Sequence, residues 1–278
     1  NNGWAYKDLL PYFKKSENNE DIHNSYHGQN GELTAGFAKR FKTPFASAFI
    51  KACTQCGFTA NKDYNGEQME GAGPFQFTIK DGKRQSAAVA FLKPAMGRTN
   101  LTVLTNTHTK KIIIEKDKAV GIEVMTGKNT TQEIRASKEI ILSAGSFASP
   151  QLLLLSGIGD RDELKALEIP CIQHLHGVGK NLQDHLFYPV STLANNLLGQ
   201  NHHLTPWNQI KDIVQYLAFK KGALTIGPLE AVAFGNTPQS PGRINYQFHF
   251  ASFHLGNNYE ADFYNLKTFP ANQDGYSI

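Results

Sequence analysis

Ile140-Ile141-Leu142 is apolar at three consecutive positions, and it is followed by Ser143-Ala144-Gly145-Ser146 and then Ser149-Pro150. A strand with one face in water alternates apolar and polar residues. An unbroken run instead predicts a strand buried on both faces, as in a parallel sheet. Ser149-Pro150 has the form of an N-cap followed by a first-turn proline, which predicts a helix over Gln151–Ser156 closed by Gly157-Ile158-Gly159. Buried strand, glycine turn and helix in succession form the unit that sets a helix N-terminus against an anionic ligand. A chain organised around that unit is α/β.

The flanking sequence is mixed. Leu9, Leu10 and Phe13 recur at helical spacing beside Lys7, Lys14 and Lys15, predicting a short amphipathic helix over Trp4–Lys14. Residues 18–42, rich in Asn, Gly and His, read as irregular. Thr43-Pro44 predicts a helix start, with Phe45, Phe49, Ala52, Cys53 and Cys56 as its buried face and Gly57 as its end. Gly71–Lys80 reads as a strand entering a turn at Asp81-Gly82, and Ser86–Leu92 as a short helix. Leu101–Leu104, Lys111–Glu115, Val120–Met125, Gln132–Arg135 and Glu139–Ser143 are β-prone runs, two of them joined as a hairpin at Lys116-Asp117-Lys118. Thr205-Pro206 opens a helix to about Lys221 with Ile210, Ile213, Val214 and Leu217 on one face. Ile244, Tyr246, Phe248 and Phe250 alternate as a strand with one apolar face.

Composition removes several function classes. With 40% hydrophobic and 19% charged residues the 278-residue chain has a globular balance. No apolar run approaches the roughly 18 residues of a membrane span. The net charge is only +4, and the basic pairs Lys14-Lys15, Lys110-Lys111 and Lys220-Lys221 are dispersed, unlike a nucleic-acid-binding stripe. Three cysteines do not make a disulfide scaffold. Cys53 and Cys56 form a CxxC within a predicted helix, where spacing of three places both on one face. No second pair follows at zinc spacing, and no metal site is expected. Asn1 stands where a Met would be, so the sequence reads as part of something longer or as processed. The sequons Asn100-Leu-Thr and Asn129-Thr-Thr permit a secreted, extracellular location.

Other motifs are weak. Gly145-Ser-Phe-Ala-Ser puts serine one place too early for a nucleophile elbow. Gly177-Val-Gly179 has Leu182 at the third glycine of a dinucleotide fingerprint. His174 and His176 alternate without a third ligand nearby, His202-His203 read as loop surface, and Asp184-His185 reads as a structural pair.

Gly145 to Gly159 (Gly-Ser-Phe-Ala-Ser-Pro-Gln-Leu-Leu-Leu-Leu-Ser-Gly-Ile-Gly) resembles the second signature of the glucose–methanol–choline (GMC) oxidoreductases across its length. Further resemblances come in the family's order: Gly3-Trp4 with Leu10–Glu17, Gly82-Lys-Arg-Gln-Ser86, Asn100-Leu101 and Gly177–His185. Glu230-Ala-Val-Ala-Phe234 is most similar to the insect glucose dehydrogenase branch. The resemblance covers essentially the whole chain.

It implies a mixed α/β, α+β fold: part of an FAD-binding three-layer α/β domain, plus part of an antiparallel-sheet substrate domain with helices. Residues 1–80 and 171–278 would belong to the substrate side and 81–170 to the flavin side. It implies FAD as cofactor, contacted at Thr109, where valine is common, and at Ala144 and Gly145, where lack of bulk lets backbone approach. It implies oxidation of a CH–OH group of a small alcohol or sugar, with hydride passing to flavin N5 and an electron acceptor the sequence does not specify. No catalytic residue is expected within this chain. The resemblance puts the glycine fingerprint upstream of Asn1 and the catalytic histidine downstream of Ile278, so these residues alone are expected to be inactive. His249 and His254 do not match the catalytic position. His176 stands where proline is usual. The alternative is a non-catalytic binding or structural protein on the same scaffold.

Overall fold

The structure, a computed structural model, describes residues 2–127, 130–195, 198–256, 261–262 and 264–278; the sequon at Asn129 lies outside the described residues. Helix α1 (Tyr6–Ser16) has Asp8 in its first turn and Lys14 and Lys15 in its last, charges that suit the helix dipole at each end. Strands β1 (Glu17–Asn19) and β2 (Leu33–Phe37) arise within the stretch that reads as irregular and pair in parallel. Helix α2 (Pro44–Gln55) starts at its proline, and Gly57 beyond it takes φ +95°. The Gly71–Lys80 run is divided into β3 (Gly71–Pro74), β4 (Gln76–Phe77) and β5 (Ile79–Lys80). Pro74 has no N–H with which to continue a ladder, and β3 and β4 join different sheets. Strand β6 (Lys83–Arg84) pairs with β5 across Asp81-Gly82, and a π-helical turn (Ala88–Leu92) leads into α3 (Lys93–Ala95).

Next come β7 (Thr107–Glu115), β8 (Lys118–Thr126), β9 (Thr130–Arg135) and α4 (Gly145–Leu155). Strands β10 (Ile158–Gly159) and β11 (Gln173–His174) flank α5 (Arg161–Ala166). The remainder is β12 (Ser191–Leu193), α6 (Pro206–Phe219), β13 (Leu229–Gly235), β14 (Tyr246–Ala251) and β15 (Gly275–Ser277). The fold is mixed α/β. The chain divides into two units, one made of 1–98 with 188–278, the other of 99–187.

The first unit is built on an antiparallel sheet in the order β12-β15-β14-β13-β3. Helix α2 covers one face: Phe49 and Cys53 pack with Ala72, Ala231, Ala233 and Phe250, and the Phe49 and Phe250 rings stack at 4.8 Å. Alanines on two adjacent strands leave room for the rings. Cys56, expected on this buried face, is exposed because the helix ends at Gln55 and turns away at Gly57; Ala52, also expected there, is exposed within the helix. Helix α6 differs more. Its apolar positions Ile210, Ile213, Val214 and Leu217 face outward, while Asp212 is buried and its carboxylate meets His203 Nδ1 at 2.7 Å. This contact anchors the polar side inward. His203 and its neighbour His202 are therefore half-buried and carboxylate-bound rather than loop surface.

The second unit carries the β7-β8-β9 antiparallel meander. The hairpin at Lys116-Asp117 forms with both residues at positive φ (50° and 63°), the geometry of a two-residue I′ turn that matches strand twist. Helix α4 packs on β7, and Ser156 at its end joins the two. The buried Ser156 Oγ accepts from Ile112 N–H at 2.8 Å and donates to the Leu152 carbonyl. Ser156→Ala strands the Ile112 N–H and is expected to cost about 1–3 kcal/mol, seen as a lower urea midpoint with unchanged m-value. Leu101–Leu104 and Glu139–Ser143 are not strands, and Ile141 is 79% exposed. A run apolar on both faces becomes a strand only when neighbours supply its hydrogen bonds, and among the described residues none pairs with it.

Candidate cofactor-binding site

Helix α4 begins at Gly145, ahead of the Ser149-Pro150 start that the sequence suggests, and contains Pro150 in its interior. Ser149 still acts at the turn: its Oγ accepts the Ala144 N–H at 3.0 Å, closing the loop that leads into the helix. The outcome moves the helix N-terminus onto Ala144-Gly145 itself. There the first-turn N–H groups have no partner within the helix and carry the positive end of its dipole.

Gly145 has φ +89°, a conformation L-residues with side chains rarely adopt, while Ala144 at φ −88° is ordinary. A Cβ built on Gly145 would meet nothing within 4 Å. The protein's own packing therefore leaves the space before this turn open, and glycine is required there by backbone angle. Ala144, Gly145 and Ser146 are exposed, and Phe147 is 77% exposed. An extended anionic group fits this cradle: open space in front, bare backbone beside it and a helix N-terminus behind.

Thr109 lies on β7, paired with Val124 of β8. Cross-strand partners share a face, so Thr109 points to the same side as the buried Val124. A bulge between Thr109 and Lys111 shifts the alternation, so Ile112, paired with Ile122, points to that side as well. Without the extra residue Thr109 and Ile112, three apart, would face oppositely. The Ile112 N–H bonds Ser156 at the end of α4, so α4 lies against β7, the strand that carries Thr109. On the opposite face Lys110 and Lys111 reach Glu123 at 2.7 and 3.4 Å. These lysines hold the Glu123 carboxyl below its usual range.

The remaining sequence candidates separate. His174 Nδ1 accepts Arg161 N–H, while His176 Nδ1 meets Asp160 at 2.6 Å. That contact, with the N–H groups of Glu163 and Asp162 at the α5 N-cap, lowers the Asp160 pKa, so the histidine found in place of proline serves as a cap partner. Asp184 accepts the backbone N–H of His185. His249 lies on β14, its ring edge-on to Phe75 at 5.5 Å, and His254 is buried with Nδ1 2.9 Å from Ser191 Oγ.

Three buried carboxylate or histidine centres escaped the sequence reading. Glu230 Oε2 accepts Thr43 N–H and its Oε1 accepts Thr43 O–H, both at 2.8 Å, and Gln200 Nε2 at 3.1 Å. Asp274 accepts Gly199 N–H and His202 N–H and meets His202 Nδ1 at 2.7 Å. His27 is set between two carboxylates. The available signal was a charged residue inside an apolar run, Leu229-Glu230-Ala231-Val232.

A sequence profile described as GMC oxidoreductase matches residues 1–187. The chain belongs to the GMC oxidoreductase family. GMC oxidoreductases are FAD-binding flavoproteins. An oxygen-dependent choline dehydrogenase of Brucella suis is 40% identical over 248 residues, covering 89% of this chain and 45% of that protein. The chain thus spans about half the length of the curated relatives it matches. Formate oxidase from Aspergillus oryzae shares the fold, with TM-score 0.85 at 23% identity over 99% of this chain and 52% of the other. Pyridoxine 4-oxidase from Mesorbium loti aligns with TM-score 0.70 and 25% identity over 91% of this chain and 45% of the other. The relatives at 40% identity are bacterial choline dehydrogenases, not insect glucose dehydrogenases, so the branch suggested by Glu230–Phe234 is corrected. Glu230–Phe234 lies within β13 of the five-stranded sheet, where residue choice is set by packing.

Proposed function

We propose that this GMC sequence serves an FAD-dependent oxidation of a small alcohol at CH–OH, and that the Ala144-Gly145 turn, the α4 N-terminus and Thr109 hold part of the dinucleotide. The observation that carries the reading is the Gly145 turn: positive φ, open space where a Cβ would stand, and a helix N-terminus directly behind it. Bound FAD would supply the hydride acceptor. The chain's own groups position it: backbone N–H groups at the α4 start attract negative charge, and Thr109 lies on β7, the strand beside α4. Residues 81–170 would form the flavin side, in keeping with α4 and the meander lying there. Residues 1–80 and 171–278 would form the substrate side, in keeping with their antiparallel sheet. The choline dehydrogenases among the relatives make choline the first alcohol to test, with other small alcohols and sugars after it.

In the native gene product that carries these residues, purification is expected to give a yellow protein absorbing near about 450 nm. Adding the right alcohol without oxygen should bleach that band. The 278 residues alone are expected to hold little flavin. A native product with no flavin that accepts none on reconstitution would defeat the proposal and favour a non-catalytic scaffold.

A further inference from the structure

His27 is 5% exposed and sits between two carboxylates on opposite edges of its ring. Its Nδ1 lies 2.9 and 3.0 Å from the two Glu17 oxygens, and its Nε2 lies 2.9 Å from Asp63 Oδ1. Both carboxylates are fixed from elsewhere. Glu17 Oε2 accepts Gly28 N–H, Asp63 Oδ2 accepts Asn24 Nδ2, and Asp63 N–H donates to Asn61 Oδ1. The Asn19 amide nitrogen approaches Glu17 Oε1, Gln76 Oε1 and His27 Nδ1, each at 3.1 Å. Two amide protons are satisfied by the two oxygens, and none is left for the imidazole. A neutral ring has one N–H, which would leave a carboxylate oxygen facing a bare nitrogen lone pair at 2.9 Å.

We propose that His27 is a buried imidazolium latch that ties the 61–66 segment to β1, and that its deprotonation releases this segment. Asp63 precedes Tyr64, whose ring packs on Phe75 and Phe234. Phe234 points away from α2, since Ala231 and Ala233 fill the α2 side of β13. The latch therefore controls a cover on the second face of the five-stranded sheet.

The charged groups meeting His27 among the described residues are Glu17 from β1 and Asp63 from the 61–66 segment. Asn19 from β1 and, through it, Gln76 from β4 are neutral, and from α1 the Lys14 carbonyl faces the adjoining Gly28. Burial by itself lowers the imidazole pKa; the hydrogen bonds to Asp63 and Glu17 outweigh it, and the net direction is upward. A folded pKa above the unfolded one means the latch contributes fully below about 6.5, the ordinary value, and is lost as pH rises through the elevated folded value.

The test is hydrogen exchange at residues 61–66 in the purified protein between pH 6 and 9, corrected for intrinsic rates, with imidazole 15N shifts. Protection is expected to fall at least tenfold across the folded His27 titration, with both ring nitrogens protonated at pH 6. His27→Gln, which cannot lose a proton, should show weak protection with no such step. A neutral His27 at pH 6, accepting from Asn19, overturns the latch. So does protection in the native protein that is flat from pH 6 to 9, a readout that does not depend on the variant folding. A step in His27→Gln equal to that of the native protein overturns it as well.

Discussion

Glu230→Ala is expected to lower the free energy of unfolding by about 2–5 kcal/mol, since each stranded buried donor costs about 1–3 kcal/mol. The carboxylate gathers Thr43 N–H, Thr43 O–H and Gln200 Nε2, and Glu230, Thr43 and Gln200 are all buried. The Thr43 hydroxyl spends its only proton on Glu230. Ser252 Oγ, 2.6 Å away, must therefore donate to it, and a chain of donors ends on one side chain. Glu230 also stands at the start of α2, where the helix dipole favours a negative group. Against a typical total of about 5–15 kcal/mol, the loss is a large fraction. Glu230→Leu separates donors from volume. It refills the space but leaves the donors stranded, so its urea midpoint should fall about as far as that of alanine. Glu230→Gln keeps one acceptor oxygen and should lose less. A leucine variant as stable as the native protein would show that packing, not donor satisfaction, is what the residue supplies.

What the sequence made legible was local. Thr43-Pro44 and Gly57 bound α2 because first-turn proline and a glycine at positive φ are single-residue effects. The Tyr246–Phe250 alternation gave a strand with one apolar face, and Phe250 does reach the core. The Lys116-Asp117 turn was legible as a hairpin, though neither residue announces positive φ as glycine or asparagine would. Periodicity assigned α6 an apolar face but not its direction. That is set by Asp212 and His203, a pair formed only when a preceding helical turn folds back.

Long-range partners were illegible for the same reason. Thr43 and Glu230 are 187 residues apart and His202 and Asp274 are 72 apart, so neither pairing leaves a spacing to read. Ile140–Leu142 failed in the opposite sense. Its composition suits a central strand, but strand formation is a property of neighbours, and none lies beside it among the described residues. The candidate site fell between these cases. Gly145 was marked by its motif, while the extension of the helix back onto it, which strengthens the site, ran against the proline signal.

Ala144→Leu in the native gene product is expected to cut flavin retention at least about tenfold, or about 1.4 kcal/mol of affinity. Stability should stay within about 0.5 kcal/mol, as for an exposed position whose own φ is ordinary. The pairing of these readouts gives the test its force. Ala144 is exposed and at an ordinary φ, so leucine adds bulk beside the turn without backbone strain. Gly145→Val adds bulk as well, into space that is open, but also forces a β-branched residue to φ +89°. That conformation costs about 1–2 kcal/mol, so its melting temperature should fall together with its flavin content. If a dinucleotide lies against this turn, both variants lose flavin and only the valine variant loses stability. If the turn faces solvent in the working protein, Ala144→Leu keeps its full 450 nm band, and positive φ alone explains the glycine. Normal flavin content in the leucine variant, measured as the ratio of flavin to protein absorbance, would remove Ala144 and Gly145 from the cofactor site.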